Sequence, residues 1–159
     1  MTQKTLSRWL EALALLLGGL GLVLYGRVVP SMGLALLVAA PEFARCYYPW
    51  LILIWLTAIP CYVVLVLGWL LAHSIGADRS FTMKNARRLS TIAVLAAGDV
   101  SVFFVCNVIF LLLDMNHPSV LIASGLILFI GLCFSAAAAA LSHLTRKAAG
   151  LREQADLTI

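Results

Sequence analysis

The chain has 159 residues, 63% of them hydrophobic and 11% charged, with a net charge of +4 and a mean hydropathy of +1.04. A water-soluble domain carries about 25% charged residues to cover its surface, so this balance excludes a soluble enzyme domain, a disordered chain and a disulfide-rich secreted module. A polytopic all-α membrane protein remains, read as a single transmembrane domain over residues 1–159.

In chain order, four stretches are long and apolar enough to cross about 30 Å of hydrocarbon: about 10–29, 48–73, 89–113 and 120–144. None alternates as a barrel strand does, and in lipid only a helix satisfies its own backbone. The first span follows Lys4 and Arg8 but is interrupted by Glu11 and lacks a small-residue cleavage site, so it reads as a retained helix, not a signal peptide. Residues 31–40, between Pro30 and Pro41, are apolar but too short to cross, and read as an interfacial or re-entrant segment. Pro60 lies mid-way along the second span and predicts a kink near Ile59.

Charge sets the orientation. The N-terminus, the loop 74–88 and the tail 145–159 hold nine of the 11 Lys and Arg residues, and only Arg27 and Arg45 lie on the other side. The positive-inside rule places both termini and the 74–88 loop in the cytoplasm, as a four-transmembrane-helix bundle. The basic cluster is a topology signal beside anionic lipid, not a direct nucleic-acid site. Trp9 and Trp69 fall at the inner boundary, and Tyr25, Tyr47, Tyr48 and Trp50 at the outer one.

Small residues four apart mark helix contacts in lipid. Ala93, Ala97 and Ser101 form one such stripe and Gly131, Ser135 and Ala139 another, which predicts close packing of the third and fourth spans, within one chain or in a homo-oligomer.

Asp99 lies near mid-membrane, where a carboxylate costs about 3 kcal/mol on insertion scales. With Asn107 on the same helical face it forms a candidate ligand or ion site, the alternative being a buried polar pair that sets helix register. Glu11, His73 and His143 fall near the inner boundary as a further polar group. Cys46, Cys61, Cys106 and Cys133 have no zinc-like spacing, so neither metal nor cofactor is implied. No catalytic signature is present, and the chain reads as a non-enzyme.

In the 74–88 loop, Thr82 is a helix N-cap preceded by Phe81 as a staple, with Asn85 positioned to bond back and Arg87 and Arg88 at phosphate depth. The tail ends on an apolar residue, and docking of Asp156 and the Ile159 carboxylate on the basic loop is expected.

Phe81-Thr82-x-x-Asn85-x-x-x-Leu89 and the closing Leu151-Arg152-Glu153-Gln154-x-Asp156-Leu157-Thr158-Ile159 resemble the two motifs of domain-of-unknown-function family 2975, small bacterial four-helix integral membrane proteins. Ser80 stands where that pattern often has Pro, and Ala155 where it often has Glu. The resemblance implies no enzyme activity, and a gene neighbourhood that often includes a small helix-turn-helix regulator. The function expected is regulation or interaction, with Phe81, Thr82, Asn85, Arg87, Arg88, Asp156 and Ile159 as the cytoplasmic docking face for a protein partner. The rival is a small oligomeric transporter or channel using Asp99 and Asn107.

Overall fold

The computed structural model describes residues 2–39, 41–77 and 80–156, without the side chains of 155 and 156. Among them there is no strand. Helix α1 (Gln3–Val23) passes through a π-helical turn (Leu24–Val28) into α2 (Val29–Ala39); a 3₁₀ turn (Pro41–Cys46) leads to α3 (Tyr47–Gly76), followed by α4 (Met83–Leu112) and α5 (Pro118–Asp156). Four helical runs, Gln3–Ala39, Pro41–Gly76, Met83–Leu112 and Pro118–Gln154, are long and apolar enough to cross a membrane.

The segment after Pro30 departs from expectation. It is not a separate interfacial piece: through Ala39 it continues the first helix, a run of 37 residues and so about 55 Å long at 1.5 Å per residue. The π turn explains how. Pro30 has no N–H to give to an earlier carbonyl. The Val29 N–H bonds to the Leu24 carbonyl, five residues back. The Tyr25 carbonyl therefore loses its usual partner, and the residue five ahead of it is Pro30. Trp55 Nε1–H on α3 donates to that carbonyl at 3.1 Å instead.

Helix α3 is continuous through Pro60, from Tyr47 to Gly76. Helix α4 starts outside the apolar span because Thr82 caps it, its hydroxyl accepting from the Asn85 N–H. It ends at a left-handed residue, Asp114 (φ 54°), with the Met115 N–H returning to the Phe110 carbonyl at 2.9 Å. This is a Schellman-type stop with Asp in place of the usual Gly. Helix α5 is the longest, at 39 residues, and runs well past its apolar part.

Neighbours in sequence are neighbours in space. Among the described residues α1 and α2 pack on α3, α3 on α4, and α4 most extensively on α5, while α1 reaches neither α4 nor α5. The helices thus form an open row rather than a closed ring. The tightest seam is α4/α5. Ser135 Oγ donates to the Ala93 carbonyl at 2.7 Å and Ser142 Oγ to the Ala86 carbonyl at 2.6 Å. A Cβ on Gly131 would strike the Val100 side chain. The α5 stripe expected from sequence holds at Gly131 and Ser135 and then shifts by one: Ala138, not Ala139, is buried, because the seam continues through Ser142, Thr145 and Ala149 at alternating steps of three and four. Ile92, Ala93 and Ala138 form the core, with Val64, Leu67 and Leu71 of α3 packed against it.

Candidate functional site

The end of the molecule that holds the start of α1, the 74–88 loop and the C-terminal half of α5 carries most of the basic residues and a connected polar network. It begins with the α4 cap. Asn85, one turn into α4, is 2% exposed, and its Nδ2 donates back to the Ser80 carbonyl at 3.1 Å. Arg88, one further turn along, is half-buried. Its Nη1 reaches three oxygens: Asn85 Oδ1 at 3.0 Å, Ser74 Oγ at 3.0 Å and the Leu70 carbonyl at 3.1 Å. These acceptors are neutral, but two lie near the C-terminus of α3, where the helix dipole favours a cation. Arg88 therefore ties the start of α4 to the end of α3.

A second tie joins α1 to α3. Ser7 is buried, with Oγ 2.8 Å from the Ala72 carbonyl and 3.1 Å from Glu11 Oε1. Gly76 accepts this approach, since a Cβ there would lie 2.6 Å from Ser7 Oγ. Glu11 also pairs with His73 Nδ1 at 3.3 Å. Of the three boundary residues singled out from sequence, Glu11 and His73 meet, whereas His143 is exposed on α5 and has no described bond with them.

The docking candidates thus divide into two groups. Thr82, Asn85 and Arg88 turn inward and hold the loop in place. Phe81, 55% exposed, and Arg87 point outward, beside exposed Lys84. Arg146, Lys147, Leu151 and Arg152 are exposed on α5 at the same end. The expected contact of the tail with the loop lies outside the described residues, as do Arg79, Ile159 and the Asp156 side chain.

Asp99 and Asn107 are not brought together. Eight residues of helix separate them by about 12 Å along α4. Asp99 Oδ2 meets the Cys61 thiol on α3 at 3.6 Å. Asn107 is fully buried, donates to the Phe103 carbonyl at 2.9 Å and accepts from Asn116 Nδ2 at 3.0 Å. It secures the α4–α5 turn. The two therefore stand apart on α4: a shared face on a helical wheel is not equal depth. Sequence reasoning missed Ser7, Ser74, Trp55 and Asn116. A polar side chain in an apolar run signals a bond, but its partner is a backbone carbonyl or a distant loop residue that periodicity does not reveal.

Among the described residues no group of three or more His, Cys, Asp or Glu side chains is placed to hold a metal. What the network does is tie helices together: Ser7 Oγ meets the Ala72 carbonyl as well as Glu11, and Arg88 spans α3 and α4.

Comparison with known proteins agrees with a membrane protein. The "Uncharacterized membrane protein YoaS" of Bacillus subtilis (strain 168) is 26% identical over 122 residues, covering 75% of this chain and 76% of its own. No solved structure matches the chain. Neither the relative nor the family model indicates an enzymatic activity. The model for "Protein of unknown function (DUF2975)" matches residues 32–159, which takes in the Phe81–Leu89 motif, the clamp around Arg88 and the tail, and this multi-pass membrane protein belongs to that family.

Proposed function

We propose that this protein is a non-enzymatic regulatory or interaction protein of the bacterial inner membrane, with its basic end in the cytoplasm docking a soluble protein partner. One observation carries this reading: the polar residues of the Phe81–Leu89 motif divide by direction. Thr82, Asn85 and Arg88 are spent on holding the loop against α3, which leaves Phe81 and Arg87 displayed on a fixed mount. A pre-ordered surface loses little entropy on binding. An exposed aromatic ring beside an arginine has the composition of an interface hot spot. Lys84, Arg146, Lys147 and Arg152 add exposed positive charge at the same end, which favours a partner with an acidic surface. The helix-turn-helix regulator implied by the family resemblance is the first partner to test.

The test is affinity purification from native membranes of the intact protein and of Phe81→Ala and Arg87→Glu. Each variant should recover about tenfold less of one specific partner, while helix content and thermal stability stay unchanged. Equal recovery by wild type and both variants, or no specific partner, overturns the proposal.

A further inference from the structure

At the end of the molecule opposite the basic one, α2, the 3₁₀ turn, the start of α3 and the α4–α5 turn line a half-open cavity of about 480 Å³. We propose that this cavity binds a single long-chain fatty acid. Its shape is built in. Gly33 lets the Tyr47 ring lie on the bare backbone of α2, where a Cβ would stand 2.5 Å from Tyr47 Cε2. The opposite wall is pinned twice: Trp50 Nε1–H donates to the Met115 carbonyl at 3.3 Å, and Asn116 is held by buried Asn107. Such a wall does not have to form when a ligand arrives, and the volume lies within the range of small-molecule sites.

The lining selects the ligand. Met32, Phe43, Trp50 and Ile54 are among the side chains that make the interior apolar, and among the described residues no Asp, Glu, Lys or Arg lines it, so the body of the ligand must be apolar. At about 480 Å³ the cavity lies toward the small end of ligand sites, room for one acyl chain rather than the two of a phospholipid. The polar groups sit on the α4–α5 side, at His117 and Asn116. His117 Nδ1 is occupied by Ser119, with the Ser119 N–H at 3.3 Å and its Oγ at 2.8 Å, which leaves Nε2 as the ring nitrogen open to an oxygen-bearing head group. Tyr48 and Trp50 mark headgroup depth here, so the chain enters from the adjoining leaflet with its carboxylate at the level of His117.

The experiment is native mass spectrometry of the delipidated full chain, titrated with oleate and, separately, with a phosphatidylcholine. The result expected is one oleate adduct that saturates at one per chain. Leu37→Trp and Val120→Trp, which fill the cavity from opposite walls, should each weaken it about tenfold. Leu34→Trp, on an exposed position outside the lining, should leave it unchanged. His117→Ala removes an exposed side chain from the rim without touching the packed walls; it should weaken oleate several-fold, and keeps the test decisive if the tryptophan variants do not fold. No adduct, a statistical ladder of adducts, equal binding by the filled or His117→Ala variants, or tighter binding of the phospholipid than of oleate overturns the proposal.

Discussion

A missing proton on Pro30 shapes the first span. Because that residue cannot donate, the Tyr25 carbonyl depends on Trp55 in a setting where water is absent. Trp55→Phe keeps the ring and loses the donor; it should destabilise the protein by about 1–3 kcal/mol, read as a lower melting temperature in detergent. Asn107 and Asp99 make a sharper contrast. Asn107→Leu takes the side-chain acceptor from half-buried Asn116 Nδ2 and a donor from the core of the turn, and should cost a similar amount. Asp99→Asn gives up a thiol contact at 3.6 Å and removes an acid that costs about 3 kcal/mol to insert, so the melting temperature should stay level or rise. A fall as large as that of Asn107→Leu would show Asp99 to be part of the scaffold. Both residues are conspicuous in the sequence as polar groups in an apolar run. Their different roles are not, because the role depends on what lies opposite.

At the scale of elements, the α4/α5 seam is the firmest part of the molecule. It is made by small side chains and by serine hydroxyls bonded to backbone carbonyls, as helices in lipid require. Gly131→Leu should pry this seam apart, since even a Cβ there meets Val100, and overpacking of this kind costs about 1–3 kcal/mol or more. Ala139→Leu, one step off the seam on an exposed position, should be neutral. Comparative melting of the two variants checks the register. The stripes were legible in sequence because spacing by four is a local property. The drift from Ala139 to Ala138 was not, because it follows from how α5 stays in contact with α4 over its length, through Ser142, Thr145 and Ala149. The Phe81–Leu89 motif likewise announced a capped helix start, and its inward clamp through Arg88 became visible only with α3 beside it.

For the whole molecule, the open row of helices and the distribution of charge set the large-scale behaviour. Basic residues concentrated at one end predict an orientation that can be read in intact bacteria. A cysteine introduced at Lys147 should be protected from a membrane-impermeant maleimide, and one at Arg45, exposed at the other end, should be labelled. The reverse pattern would move the proposed docking face to the wrong compartment. The row also means that most large apolar side chains face outward, which is stable only with lipid or another chain as solvent.

Composition and periodicity by themselves determined the solvent, the number of spans and the capped start of α4. Each follows from local chemistry: the cost of putting charge in hydrocarbon, the length of a helix and the bonds of a single turn. Only the tertiary structure decided that the segment after Pro30 continues the first helix, that Asp99 and Asn107 serve different partners, and that Arg88 looks inward while Arg87 looks out. These depend on which carbonyl or side chain a neighbouring helix presents, and such partners are up to 65 residues away in the chain.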